Sequence, residues 1–453
     1  MTPVADFDVL LGITRALTST MGVAFAAYLV LVVLPYLRHR PRPHGRAADF
    51  EWHFLLPCRD EGAVVGGTVR YLREAFPDAH VWVIDDDSDD GTVDVVHGFR
   101  DDPHVHLVRR RRPHARTGKG DALNDAYRTV KLWMGRHADA DRAVAVVVDA
   151  GGRPARDCLD VCAAEHLFGD PGVGAVQVDV RVANAGVRQA GGPRWRGVLG
   201  GLLVRVQDLE LRTAVAAIRL SRGTTSPDGD GRFARLSALD SVAGPAGRPW
   251  RGSSPEDPEL GVRLLTAGWR TGFTTDTHVH QEGLHSLRRL LAQRARTGHG
   301  TMRGLRHVRR IWASPHLSAS GAAKLTCSLV QPWSRLLATL VYPVPLLVLG
   351  QRAAHAPGEV WAWLVDGAWT SFAVYGMLGL LPFVLWGPVY RARCAPTTGL
   401  ARAIGYGFLY AIYASACCLA SWPAVARPAR GRDRWAETCG NTERIAADVA
   451  LDH

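Results

Sequence analysis

The residues best suited to chemistry are carboxylates and one lysine. "VWVIDDDSDDGT" (81–92) is a short apolar run that breaks into Asp85, Asp86, Asp87, Asp89 and Asp90, interrupted only by Ser88. Taken alone it suits a solvated turn, because Asp, Ser and Gly hydrogen-bond locally in turns. A second apolar run, "AVAVVVD" (143–149), also ends on a carboxylate, Asp149. Between them, "ARTGKGDALNDA" (115–126) flanks Lys119 with glycines where a loop opens a helix. That arrangement suits a phosphate, although a surface lysine in a flexible loop has the same appearance. Lys119, Lys131 and Lys324 are the only lysines of the chain, and a compact ammonium is not interchangeable with a guanidinium. Finally, "SSPEDPELGVRL" (253–264) sets Glu256, Asp257 and Glu259 just ahead of a helical stripe of leucines. Acidic residues there can simply complement the helix dipole, or one can serve as a general base.

The elements that must position these groups follow from periodicity. Runs 52–57, 81–85, 105–108 and 143–149 have the length and content of buried strands, with helical stretches at 63–75 and 119–137. Strands alternating with helices imply an α/β domain with a mainly parallel sheet. Such sheets bind ligands at the carboxyl ends of their strands. Asp85, Asp86 and Asp149 therefore arrive at one edge, which raises the functional reading of the acidic run above the turn reading.

Composition divides the chain. It has 453 residues, 47% of them hydrophobic, with a formal charge of +11. Apolar segments stand at 23–37, 336–350, 369–387 and 404–422, each able with its neighbours to approach the ~20 residues that cross a bilayer. The first lacks a basic leader and a small-residue cleavage site, so it reads as an anchor. Four arginines in "RHRPRPHGR" (38–46) against none in 1–14 place the soluble domain in the cytoplasm by the positive-inside rule. Three further full crossings would leave the basic "RPARGRDRW" (427–435) outside, so one later segment is expected to be re-entrant or interfacial. The segment 286–312 spaces apolar residues helically among eight arginines, the composition of a membrane-surface helix. No aromatic interleaving or nucleic-acid fold signature supports a nucleic-acid partner. Eight cysteines show neither metal-ligand spacing nor a disulfide framework.

Six stretches occur in an order that resembles the membrane-integrated family 2 glycosyltransferases, the group of cellulose, chitin, hyaluronan and poly-N-acetylglucosamine synthases. They are "PCRDEG" (57–62), "IDDDSDDGT" (84–92), "GKGDALN" (118–124), "VVVDAGGRP" (146–154), "PEDPELGVRL" (255–264) and "QRART" (293–297). The resemblance implies an α/β GT-A fold with a nucleotide-sugar site, between an N-terminal and several C-terminal transmembrane helices. The expected organisation is an anchor over 1–39, a basic linker over 40–48 and the GT-A domain over 49–284. Amphipathic interfacial helices would follow over 285–325, transmembrane segments over 326–426 and a basic cytosolic tail over 427–453. The expected location is the plasma membrane.

Carried over position by position, the resemblance implies inverting transfer from a nucleotide sugar, UDP-linked, to a growing polysaccharide or a lipid-linked acceptor. Transfer of a single sugar to a lipid carrier, or a degenerate nucleotide-binding subunit of a glycan export complex, are the alternatives. Asp257 would be the general base, with Glu256 beside it. Pro57, Glu61, Asp85, Asp86, Lys119, Asp149 and Arg296 would contact the nucleotide sugar, and Gln293 and Arg294 the acceptor. Asp149 would hold Mg²⁺ or Mn²⁺. Three positions depart from the family. Its DxD motif reads Asp149, Ala150, Gly151; the Trp ending QxxRW is Thr297; and its acceptor-side "GGNGQ" loop reads "SPDGDGR" (226–232). The first bears on the metal, the others on processive synthesis.

Overall fold

The computed structural model describes residues 3–135, 139–185, 194–223, 231–251, 258–419 and 422. Eight strands build one sheet: β1 (Glu51–Cys58), β2 (His80–Asp86), β3 (Val105–Arg110), β4 (Ala143–Val147), β5 (Arg153–Pro154), β6 (Val173–Val182), β7 (Arg232–Arg235) and β8 (Arg270–Gln281). Their order is β3-β2-β1-β4-β7-β6-β8-β5. The four strands expected from the sequence are the parallel half, β3 through β4. β7 runs antiparallel to both β4 and β6, and β6 is parallel to β8. Two reversals restore direction, so the carboxyl ends of β6 and β8 reach the same edge as those of β1, β2 and β4.

Alternation in β1 explains the layers. Phe54, Leu56 and Cys58 point to one face and pack on Val65, Val69 and Leu72 of the Gly62–Ala75 helix. Leu55, on the other face, packs on Ala122, Leu123 and Tyr127 of the Lys119–Met134 helix. Both faces are covered, hence Phe54, Leu55 and Leu56 follow one another in β1 rather than alternating with polar residues. Full burial of each of these Leu or Phe side chains contributes ~1.5–3 kcal/mol.

Four helices are long and apolar enough to cross a membrane: Asp8–Arg38, Ala319–His355, Pro357–Arg393 and Leu400–Leu419. They extend the four apolar runs of the sequence, and the basic tail at 427–453 lies outside the described residues. A long helix at 194–222, with a π-helical turn at Glu210–Val215, was not expected from periodicity. Val206 and Leu209 from it join Val33, Tyr36, Trp386, Tyr390 and Tyr413 in one cluster, so this helix and the apolar helices share a core.

At the amino ends of the strands, His53, His80, His104 and His106 gather around Trp82 and Trp133. His80 stacks on His53 at 5.5 Å and on His104 at 4.9 Å, and its Nδ1 lies 3.2 Å from His106 Nε2. Burial, then the neighbouring histidines His53, His106 and His104, push the His80 pKa down to about 4, against a weaker opposing pull from Glu51. The folded state rejects a proton that the unfolded chain accepts below about 6.5. Stability is therefore expected to be intact above that value and to fall as pH drops from 6.5 toward 4. Thermal midpoints of the detergent-solubilised protein across this window check it, and His80→Gln should flatten the profile relative to the parent.

Candidate active site

The acidic run after β2 turns out to be a latch with one residue left over. Asp90 accepts hydrogen bonds from Gly62 N at 2.9 Å and Thr92 N at 3.1 Å, tying the Gly62–Ala75 helix to this turn. Asp89 pairs with Arg116, and Asp87 with Arg112 at 2.8 Å. Asp86 faces Arg110 in register across β2 and β3. Both side chains are buried and form a close ion pair, and Arg116 N donates to the same Asp86 oxygen at 3.0 Å. Arg110 also binds Asp125 at 2.6 Å, His114 O at 2.5 Å and Thr117 Oγ1 at 3.1 Å. The turn thereby pins the loop 111–118 that delivers Lys119. Asp85, opposite Arg109 in the same register, forms no ion pair among the described residues: it is buried and accepts from Ser88 N at 3.3 Å, and burial raises its pKa against the Ser88 hydrogen bonds and the Arg109 charge.

Lys119 opens its helix directly after Gly118, whose φ of 136° favours glycine. Its ammonium forms a close ion pair with Asp149, two residues beyond β4. Desolvation pushes the Asp149 carboxyl up, but the Lys119 ammonium and then Arg232 outweigh it and hold the pKa below the usual range. Glu61, in the turn before Gly62, responds oppositely: burial first, then the carboxylates of Asp149, Asp90, Asp60 and Glu282, raise it to about 7. Pro57 is buried in β1 opposite Ile84, at the carboxyl end of the strand. The structure thus brings Pro57, Glu61, Asp85, Asp86, Lys119 and Asp149 to one edge. Glu256 and Asp257 lie outside the described residues, as does the Arg296 side chain.

Asp149 keeps more than half of its side chain exposed. Among the described residues no group of three His, Cys, Asp or Glu could hold a metal ion. A hard cation that takes most of its ligands from a diphosphate and water needs only one or two protein carboxylates, and Asp149 fits that part.

Gln293 and Arg294 sit in the Leu287–Arg303 helix, where Thr297 Oγ1 donates to Gln293 O at 3.2 Å. Arg294 is engaged away from the sheet: its Nη2 meets Glu210 in a close ion pair and Tyr413 OH at 3.0 Å, and Tyr413 OH donates to Glu210 at 2.8 Å. It joins three elements, the 194–222 helix, the Leu287–Arg303 helix and the last apolar helix.

Three further residues escaped the sequence reading. Asn124 is buried and holds Trp250 by both backbone groups, at 2.7 and 3.0 Å, fixing the chain just before 252–257. Its place in "GKGDALN" was the available signal. Arg232 is buried in β7 with no hydrogen-bond partner at Nε among the described residues, and its charge acts on Asp149. Glu282, immediately after β8, acts on Glu61 across the edge. Neither has a sequence signal, because both depend on strand order.

The chain is 28% identical over 252 residues to the beta-monoglucosyldiacylglycerol synthase of Synechocystis sp., covering 54% of this chain and 47% of that protein. It is 28% identical over 300 residues to the protein of the same name in Trichormus variabilis, covering 64% and 55%. The chain thus spans about half the length of these curated relatives. In structure it is similar to the mannosyltransferase PcManGT from Pyrobaculum calidifontis, solved in complex with GDP-Man and Mn²⁺. That match has a TM-score of 0.54 and 18% identity, over 91% of this chain and 99% of that one, and bears on the fold alone. The sheet with its helical layers is a GT-A fold. Residues 52–300, more than half of the sequence, match the model of the glycosyltransferase like family 2, and the chain belongs to that family.

Proposed function

We propose that this protein is a membrane-bound inverting glycosyltransferase that moves one sugar from a nucleoside diphosphate, UDP, to a hydroxyl of a membrane lipid. The observation that carries the acceptor class is the roof of the carboxyl edge. Tyr36 OH, at the end of the first apolar helix, donates to Arg212 O at 2.6 Å, and Tyr390 OH, near the end of the third, donates to Asp208 at 2.5 Å. A lipid headgroup reaches the cleft there without its chains leaving the apolar helices. The names of the relatives, which specify a glucosylated diacylglycerol, and Thr297 in place of Trp support single transfer over polymer synthesis. In this reading the sheet faces the cytoplasm at the plasma membrane.

In the reaction, the acceptor oxygen bonds to the anomeric carbon as its bond to the diphosphate breaks, and the hydroxyl proton passes to Asp257, flanked by Glu256. Asp85 binds the nucleoside, with Pro57 and Asp86 shaping its pocket and Glu61 beside it. Lys119 and Arg296 meet the charge that grows on the departing diphosphate. Mg²⁺ or Mn²⁺ on Asp149 would neutralise part of that charge when bound. Gln293 lines the acceptor path, and Arg294 holds its helix against Glu210 and Tyr413.

Purified protein in lipid, given labelled UDP-, GDP- and dTDP-sugars, should yield an organic-soluble product carrying one sugar. A long, water-soluble polymer would overturn the acceptor assignment. Lys119→Ala should weaken UDP binding by ~1.5–3 kcal/mol, the size of a charge-assisted contact. Calorimetry checks this, and parental affinity would remove Lys119 from the diphosphate site.

A further inference from the structure

In the parallel β6–β8 pair, Asp179 stands opposite His278 and Arg181 opposite His280. Residues two apart share a strand face, so these four titratable side chains line one face at the carboxyl edge. His280 is also opposite Arg153 of β5, four residues after Asp149. β6 lies two strands from β4, ~10 Å at ordinary strand spacing.

Most polar groups here are committed. Asp208 accepts from Val182 N at 3.2 Å and from Tyr390 OH, and faces Arg212 at 3.6 Å. His278 and His280 meet through their Nε2 atoms at 2.8 Å. Arg181 differs. Arg212, Asp179 and Asp208 are close enough to act on its charge, yet among the described residues it makes no side-chain hydrogen bond or ion pair, and its Nε is buried without a partner, as is His280 Nδ1. A buried donor without an acceptor is costly, and the half-buried Arg181 guanidinium is a planar fork that matches phosphate oxygens.

We propose that Arg181, with His280 and Arg212, forms an anion subsite for a phosphate group on the acceptor lipid, separate from the Lys119 diphosphate site. The phosphate anchors the headgroup while a hydroxyl beyond it reacts. The cluster lies beneath the ends of the Asp8–Arg38 and Pro357–Arg393 helices, where Tyr36 and Cys394 adjoin it, so a lipid can present its headgroup from the apolar side. The proposal rests on the lipid-acceptor reading above.

The test is calorimetry of the full chain in detergent, titrated with dihexanoylphosphatidylglycerol, uncharged dihexanoylglycerol, inorganic phosphate and UDP. Arg181→Met should bind the phosphatidylglycerol ~10- to 100-fold more weakly than the parent, the weight of a charge-assisted contact. Arg181→Lys should fall between them, with dihexanoylglycerol and UDP unchanged. Equal binding of the phospholipid by parent and Arg181→Met overturns the subsite. So does a parallel loss for the uncharged lipid, or inorganic phosphate binding as tightly as the phospholipid, which would mark a free-anion site. Because binding is read without turnover, these outcomes leave lipid transfer standing; that reading falls only if no lipid-linked product forms.

Discussion

Asp257→Asn should lower sugar transfer by ~10²- to 10⁴-fold, the usual weight of a general base, while UDP affinity stays near the parental value. The amide keeps the size of the carboxylate but cannot take the acceptor proton. Asp257 lies outside the described residues, yet the chain on both sides of 252–257 is held firmly. On one side Asn124 grips Trp250. On the other, the Pro258–Thr266 helix buries Leu260, Val262, Leu264 and Leu265, and Arg263 donates to Pro249 O at 2.5 Å. None of these anchors involves Asp257, so the variant should fold. Parental turnover by Asp257→Asn, measured with labelled donor, would dismiss Asp257 as the base. A parallel loss of UDP binding would reassign it to the donor pocket.

The largest effect on stability should come from Arg110→Met. Arg110 and Asp86 are both buried, and removing one member of such a pair leaves an uncompensated charge, typically at ~3–5 kcal/mol. Burial already raises the Asp86 carboxyl, with Arg116 N and Arg110 opposing it. Without Arg110 its folded pKa, already above the unfolded value, rises further. A carboxyl raised on folding favours the protonated native state, so the deficit should be greatest at neutral pH and shrink as pH falls through the new pKa. Asp86→Asn in the Arg110→Met background should recover part of the loss. Denaturant midpoints of the four proteins give the coupling directly. A loss below ~1 kcal/mol would mean that water already reaches the pair.

Sequence patterning determined the parallel half of the fold and the apolar helices. The runs 54–57, 81–84 and 143–148 are continuously apolar because both faces are covered, and long apolar runs near the chain ends need no tertiary information to be recognised. The same local signals located Asp85, Asp86, Lys119 and Asp149. They could not distinguish Asp85 from Asp86, which are adjacent and chemically identical. Tertiary packing decided that: register sets Arg109 opposite Asp85 and Arg110 opposite Asp86, but only Asp86 and Arg110 close into a buried ion pair and become part of the latch. Nor could they identify Arg181, Arg232 or Glu282, or show what Asn124 holds. Arg181 and Arg232 reach the carboxyl edge only because β7 reverses between β4 and β6, and Asn124 matters through a contact 126 residues away. Arg294 shows the same limit, since its partners Glu210 and Tyr413 come from a π-turn and an apolar helix. Hydrophobic period and turn chemistry act over a few residues, so they specify elements. Pairing of charges across strands and helices depends on distances set by packing the whole chain, so only the tertiary structure could decide which polar residues are spent on the fold and which remain for substrate.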